Sequence, residues 1–119
     1  MNNYQDLKVW QKAMNLVENI YQVINTFPNE EKFGLVSQMK RSSISIPSNI
    51  AEGAGRNHQK EFRNFLSIAN GSTSELETQI ILASKLNFIN DNETEKLVSQ
   101  CVEIRKMNYA LQRSLQKTN

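Results

Sequence analysis

The sequence predicts an all-α fold, an antiparallel up-down bundle of four helices in a single domain. Four successive segments carry apolar residues at the spacing of an α-helix, and the connections between these segments are short. The 119 residues include four glycines and two prolines, so turn formers make up about 5% of the chain where average usage is about 12%. Because β-rich folds need many turns, this composition argues against them. The length suits one domain with a core of its own.

The first predicted helix spans residues 6–26 and is apolar over an unusually wide arc. In a heptad that starts at Leu7, positions a, c, d and g are apolar and positions b, e and f are polar. The four apolar positions form an arc of about 160°, whereas a helix that faces one core needs about three positions in seven. We therefore expect the surplus stripe to contact a second protein surface as an oligomer interface, formed by Val9, Leu16 and Val23.

Residues 30–54 form the second predicted helix, which is kinked at Pro47. Proline has no N–H to donate to the carbonyl of Ser43, and its ring crowds that carbonyl. We expect neighbouring serine hydroxyls to satisfy the freed backbone groups. A break into two shorter helices is the alternative. Gly53 and Gly55 are expected to end the helix in the left-handed conformation.

The third and fourth predicted helices span residues 58–86 and 93–115, with Asn57 and Asn92 as their N-caps. The middle of the third helix is small and polar and contains Gly71. A glycine inside a helix costs about 1 kcal/mol relative to alanine. Such a cost is usually accepted for close backbone approach, so we expect a neighbouring helix to pack tightly there.

The residues needed for common catalytic and metal sites are missing from the sequence. One histidine and one cysteine exclude zinc sites built from Cys and His and the paired Glu-x-x-His motifs of di-metal bundles. The chain has no P-loop or dinucleotide fingerprint. His58 lies at a predicted helix start, where a solvated cap is favoured over a catalytic base. We therefore predict a protein that is not an enzyme and uses no cofactor or metal.

The single cysteine and the hydropathy pattern predict a cytoplasmic location. Cys101 has no partner for an intramolecular disulfide, which fits a reducing compartment. Its helical spacing from Leu97 and Ile104 predicts a buried, unreactive thiol, with a nucleophile as the alternative. The longest apolar run has four residues, far short of the roughly 18 that a membrane span needs. Residues 1–12 lack the apolar core of a signal peptide.

Glu75 and Asn49 are polar residues for which the pattern predicts structural roles. Glu75 lies midway between two apolar residues seven positions away on either side, so we expect a partly buried carboxylate that needs a cationic partner. Arg41 or Arg105 is the candidate, within or between subunits, and a catalytic acid is the alternative. Asn49 shares a helix face with Ser45, and we expect it to form hydrogen bonds inside the bundle or at a subunit contact.

Charge is distributed unevenly along the chain, although the net charge is only +2. Residues 1–31 sum to −2, residues 32–63 to +4, residues 64–104 to −4 and residues 105–119 to +4. In an antiparallel bundle the start of the third helix lies near the end of the fourth, so both basic blocks can share one end. Free backbone N–H groups at a helix N-terminus also favour anions there. Five residues are candidates to bind nucleic-acid phosphates, with ordinary solvated charge as the alternative: Lys40, Arg41, Arg56, Lys60 and Arg63.

Five stretches carry a resemblance to a known family: DLKVWQKA (6–13), GLVSQMKR (34–41), SIPSNIAEG (45–53), KEFRNFL (60–66) and GSTSELE (71–77). In this order and spacing, the chain resembles the small bacterial four-helix bundle proteins encoded in intervening sequences of 23S rRNA genes, often labelled S23 ribosomal proteins. The resemblance covers nearly the whole chain. It implies a homopentameric barrel around a central channel, with no assigned enzymatic activity and no place in the ribosome.

The same family includes the accessory protein of diversity-generating retroelements, which is similar to a basic barrel that binds a reverse transcriptase and nucleic acid. The resemblance therefore implies RNA or DNA, and a reverse transcriptase or another protein, as candidate partners. Relatives often carry a second Arg and a Ser or Thr after the Gly-Arg pair, where this chain has Asn57, His58 and Gln59, which weakens the basic surface. The predicted function is a non-enzymatic oligomeric adaptor associated with nucleic acid or a nucleic-acid enzyme. The alternative is a purely protein-binding scaffold.

Overall fold

Four α-helices form the protein in a computed structural model that describes residues 3–117, with only the backbone of Lys117. They are α1 (Lys8–Ile24), α2 (Leu35–Gly55), α3 (Gln59–Lys85) and α4 (Asp91–Lys117). Single 3₁₀ turns lie at Tyr4–Asp6 and Asn29–Glu31. The second turn explains why α2 begins later than the sequence predicts. The all-α prediction is confirmed.

Neighbouring helices run antiparallel, as pairs of residues between them show. From α3 to α4, Gln112 bonds near the start of α3 at Arg63, whereas Asn108 bonds further along at Asn70. Two further seams show the same reversed order: Ser42 with Gln79 and Ser45 with Ser72 for α2 and α3, and Lys12 with Glu103 and Asn19 with Gln100 for α1 and α4. Between α1 and α2, Tyr21 near the end of α1 contacts Lys40 near the start of α2, as antiparallel neighbours do. The bundle measures 48 × 23 × 20 Å.

The apolar arc of α1 is oriented differently from the prediction. The edge that was expected to face outward is buried in the core. Val9, Leu16 and Val23 are only 4%, 0% and 8% exposed within a single chain. The prediction that they form an outer stripe is therefore wrong, because packing between α2 and α4 draws heptad positions c and g inward. The opposite edge of the arc is the more exposed one: Met14 and Tyr21 at position a are exposed, and Trp10 and Val17 at position d are half-buried beside them.

α2 continues through Pro47 as one helix, so the alternative of two shorter helices is wrong. Pro47 is buried in the bundle. The hydroxyls of Ser42 and Ser45 bond to side chains of α3, at 2.7 Å from Gln79 Oε1 and 2.8 Å from Ser72 Oγ. These serines therefore join two helices rather than repair the backbone at the proline.

The glycines act differently from the predictions. No glycine has a positive φ, so Gly53 and Gly55 do not end α2 through a left-handed conformation. Gly53 instead allows α2 and α3 to touch, because a Cβ at this position would lie 2.6 Å from Phe65 Cβ and 3.0 Å from Phe62 Cδ1. Gly71, where close packing was expected, is exposed and has no atom within 4 Å of such a Cβ.

Asparagines occupy the left-handed positions at the ends of α3. Asn57 has φ 59° and precedes the N-cap residue His58, so the prediction that Asn57 is the N-cap is wrong. Asn87 has φ 64°, and the next N–H, from Phe88, donates to the carbonyl of Ala83 at 2.9 Å. This is the Schellman pattern of a helix end, in which a short polar side chain tolerates the left-handed region.

α4 is capped by Asn90 and not by Asn92 as predicted. The Oδ1 atom of Asn90 accepts a hydrogen bond from the N–H of Glu93 at 2.8 Å. This bond satisfies one of the four N–H groups left open at a helix start. Within residues 3–117, no helix combines the length and the apolar composition that a membrane span requires.

Candidate functional site

The C-terminal part of each basic block lies at the same end of the bundle, where the start of α3 meets the end of α4. Gln112 on α4 donates through Nε2 to the carbonyl of Arg63 at 3.1 Å and to the hydroxyl of Ser67 at 3.0 Å. Arg113, the next residue, is exposed beside the start of α3. The basic end of the bundle is defined here by Arg56, Lys60, Arg63 and Arg113.

Arg56 is held by groups of its own chain. Its guanidinium forms ion pairs with Glu52 at 2.8 Å and Glu61 at 3.7 Å, and it lies 5.0 Å from the centre of the Phe65 ring. The hydrogen bond to Glu52 is the main reason why the pKa of Arg56 is raised. Arg56 is thus oriented, and its charge is partly balanced before any ligand arrives.

Lys60 and Arg63 occupy the first turns of α3, beside Arg56. Lys60 is exposed, and Arg63 is half-buried with its Nη1 atom enclosed and without a hydrogen-bond partner in the described part of the chain. The enclosed Nη1 atom leaves at most the other two guanidinium nitrogens of Arg63 for a ligand. The basic end therefore offers three cations that no described carboxylate pairs with: Lys60, Arg63 and Arg113.

Lys40 and Arg41 do not belong to the basic end. They lie fifteen or more positions before Arg56 on the same helix, which is about 22 Å along its axis. Lys40 lies over the ring of Tyr21, with Nζ 5.4 Å from the ring centre, and Arg41 is exposed. The structure thus divides the five predicted phosphate ligands into two separate groups.

The opposite end of the bundle is acidic. The two loops there and the helix ends beside them carry five carboxylates, at Glu30, Glu31, Asp91, Glu93 and Glu95, against three lysines, at Lys32, Lys85 and Lys96. The molecule is therefore dipolar along its long axis, and its small net charge of +2 conceals this separation.

An apolar groove runs along the seam between α1 and α2. One pocket in this groove has a volume of about 310 Å³ and is lined by Trp10, Met14, Val17, Ile44 and Pro47 together with Tyr4, Ser48 and Ala51. Met14 and Ile44 are 41% and 44% exposed on its rim. Because exposed apolar side chains gathered along one seam can mark a site of protein interaction, this groove is a candidate interaction surface.

Glu75 is exposed, which contradicts the prediction of a partly buried carboxylate. Arg105 pairs with Glu77 instead, and both side chains of that pair are about four-fifths buried. The neighbours of Glu75 at seven-residue spacing, Ile68 and Leu82, are exposed as well. These three residues form an outward stripe on α3, called here the α3 stripe.

Polar side chains also occupy the interior between helices. Asn49 Nδ2 donates to the carbonyl of Ser45 at 2.8 Å and to its hydroxyl at 2.9 Å, so Asn49 supports α2 locally. Asn108 Nδ2 donates to Asn70 Oδ1 at 2.9 Å in the core. The other two amide atoms, Asn70 Nδ2 and Asn108 Oδ1, are enclosed and have no hydrogen-bond partner among the described residues. This amide pair was not predicted from the sequence. Asn108 lies at helical spacing from Ile104 and Leu111, which could have indicated a buried position, whereas three of the four neighbours of Asn70 at that spacing are polar.

Cys101 and His58 are two residues for which the sequence left a catalytic role as the alternative. Cys101 is fully buried, and burial raises the pKa of its thiol to about 12, so the nucleophilic thiolate is not populated near neutral pH. His58 is exposed at the start of α3. Among residues 3–117, His, Cys, Asp and Glu side chains form no group of three that could hold a metal ion.

The fold and surfaces define a small four-helix bundle with one apolar groove and two ends of opposite charge. Over residues 5–110 the chain matches the model of the 23S rRNA-intervening sequence protein family, and it belongs to that family. The curated proteins include no match to the chain.

A solved structure has the same fold. It is the 1.70 Å crystal structure of a protein of unknown function from the S23 ribosomal protein family of Bacteroides thetaiotaomicron VPI-5482. The two chains superpose with a TM-score of 0.81 at 26% sequence identity, over 88% of this chain and 95% of the other. The family prediction is confirmed.

Proposed function

We propose that this protein is a non-enzymatic, self-associating cytoplasmic adaptor that binds nucleic-acid phosphates through its basic end. The observation that carries this proposal is the meeting of the start of α3 with the end of α4, where Gln112 bonds to the backbone of Arg63. This contact brings cations from two distant parts of the sequence onto one surface. Phosphate contacts of this kind bind without reading the base sequence.

Three observations support the choice of this end. Lys60, Arg63 and Arg113 carry no ion pair with a described carboxylate. The first N–H groups of α3 lie among them and favour anions, since His58 provides no side-chain cap. The other end of the bundle carries more carboxylates than lysines and would repel a phosphate backbone.

Self-association would multiply a weak site. One subunit offers few phosphate contacts, but the homopentameric barrel that the family resemblance implies would repeat them five times. Linked sites raise the overall affinity by increasing the effective concentration at the second and later contacts. The uncovered apolar groove between α1 and α2 supports such an assembly.

A titration with labelled single-stranded RNA and duplex DNA at two salt concentrations tests the proposal. We expect the logarithm of the binding constant to fall with the logarithm of salt by about 0.7 per phosphate contact on single strands and about 0.9 on duplex DNA. The triple variant Arg56→Ala, Lys60→Ala, Arg63→Ala should lose binding. The matched control Lys32→Ala, Lys85→Ala, Lys96→Ala removes the same charge from the acidic end and should keep it.

The second candidate is a scaffold that binds only proteins. It is favoured by the state of Arg56, which Glu52, Glu61 and Phe65 already engage. If nucleic acid does not bind at low salt, or if both triple variants bind equally well, the scaffold is the better description.

A further inference from the structure

We infer that the nucleic acid bound at the basic end is single-stranded and that one of its bases stacks on Tyr109. This inference rests on the proposed function and specifies which form of nucleic acid the site takes. The feature behind it is an exposed aromatic ring on α4 that lies between two exposed cations, Lys106 and Arg113.

Tyr109 differs from the other exposed aromatic side chains in having an uncovered ring. Three such side chains are exposed in the described part of the chain: Tyr21, Phe33 and Tyr109. Lys40 Nζ lies 5.4 Å from the ring centre of Tyr21, and Lys32 Nζ lies 5.5 Å from that of Phe33. Among the described side chains, no cation and no second ring lies over Tyr109. Its ring, 51% exposed, is therefore available to a planar ligand.

Lys106 and Arg113 flank this ring on the same face of α4. They lie three residues before and four residues after Tyr109, so the three side chains fall within about 60° around the helix and the two cations are about 10 Å apart along its axis. Neither cation forms an ion pair with a described carboxylate. The two charges are thus placed to bind phosphates on either side of a nucleotide whose base lies on the ring.

The surface of α3 beside Tyr109 leaves room for a ligand. Asn70 bonds to Asn108, and the residues that follow them, Gly71 and Tyr109, are both exposed at this level of the seam. A Cβ at Gly71 would meet no atom within 4 Å. Glycine is unfavourable inside a helix, and no neighbouring helix requires it here. Close approach of a ligand to the backbone is a role that accounts for it.

An aromatic platform of this kind selects single strands. Phosphate contacts alone accept both forms of nucleic acid, because both carry the same backbone charges. In a duplex, neighbouring base pairs cover the faces of each base, whereas an unpaired base can turn outward and stack on an aromatic side chain. Stacking tolerates any base, since every base has a π-face. The site therefore suits a single strand of RNA or DNA without a preferred sequence.

Variants of Tyr109 test the inference with a DNA strand and with the duplex that contains it. Tyr109→Ala should weaken binding of the single strand about tenfold, within the range of base–aromatic stacking, and should leave duplex binding unchanged. Tyr109→Phe keeps the ring and should bind like the parent. The matched control Phe33→Ala removes an exposed ring from the acidic end and should also bind like the parent. Since Tyr109 and Phe33 are exposed, circular dichroism should show unchanged helicity.

Salt dependence separates stacking from charge. Tyr109→Ala should keep the parent's salt slope because it removes no phosphate contact, whereas Lys106→Ala should reduce the slope by about 0.7 on the single strand. Ultraviolet crosslinking of a single strand that carries 5-bromouracil should attach the base to Tyr109.

The outcomes distinguish this inference from the function on which it rests. If the parent binds but Tyr109→Ala loses nothing, or loses as much on the duplex as on the single strand, the stacking site is wrong and the phosphate site stands. Loss of binding in Tyr109→Phe, or a reduced salt slope in Tyr109→Ala, would likewise overturn stacking, because either result assigns the contact to the hydroxyl or to a phosphate. A parent that binds neither form would refute the proposed function and this inference together.

Discussion

Alanine at Gly53 is expected to destabilise the protein, whereas alanine at Gly71 is expected to stabilise it. Both glycines lie inside helices, so alanine gains about 1 kcal/mol of helix propensity at either position. At Gly71 the new methyl group meets no atom within 4 Å, and the gain remains. At Gly53 the methyl group would lie 2.6 Å from Phe65 Cβ, and a Cβ cannot rotate away.

The loss of stability in Gly53→Ala follows from the separation of two helices that the new methyl group requires. α2 and α3 must separate until the distance rises from 2.6 Å to the 3.4 Å of an ordinary contact. Overpacking of this kind costs about 1–3 kcal/mol, and a backbone-proximal clash belongs at the upper end. After the gain in helix propensity, we expect a net loss of about 2 kcal/mol, a large share of a typical domain stability of about 5–15 kcal/mol.

Urea unfolding followed by far-UV circular dichroism measures both variants at one protein concentration, because assembly links stability to concentration. Gly55→Ala is the matched control, since a Cβ there meets nothing within 4 Å and the residue lies only two positions away. A Gly53→Ala variant as stable as Gly71→Ala would show that α2 and α3 are not packed through this glycine.

Three further predictions concern buried polar groups and a helix cap. Asn108→Leu should lower the free energy of unfolding by about 1–3 kcal/mol, because it leaves the amide of Asn70 unpaired. The double variant with Asn70→Leu should recover much of that loss. A double variant that is less stable than Asn108→Leu alone would contradict this prediction. Since burial raises the Cys101 pKa from 9.0 to about 12, folding favours the protonated thiol, so its contribution is complete below about pH 9 and lost as the pH rises toward 12. Urea titrations across that window should show a steeper loss of stability for the parent than for Cys101→Ala, and equal slopes would refute the assignment. Asn90→Ala should cost about 1 kcal/mol by removing the cap of α4, while Asn92→Ala should change the unfolding midpoint little; the reverse order would mean that the cap is misassigned.

The architecture could be predicted from the sequence because it depends on local periodicity. Apolar residues at helical spacing and few turn formers specify four helices, and short connections make neighbours antiparallel. The same argument placed the start of α3 beside the end of α4, as the contact between Gln112 and Arg63 shows. It did not hold for the whole first basic block, because Lys40 and Arg41 lie near the start of α2. The wide apolar arc of α1 was also visible as a surplus of apolar positions.

Only the tertiary structure decided which of the apolar positions of α1 are buried and which are exposed. A helical wheel shows how wide an apolar arc is, but the directions of α2 and α4 determine which edge turns inward; they buried Leu16 and left Met14 outside. The same reason applies to Gly53 and Gly71, which look alike in the sequence and differ in whether a phenylalanine of another helix lies opposite. Spacing along one helix carries no information about the residue that faces it, and for that reason Glu75 turned out exposed while Asn70 found its partner in the core.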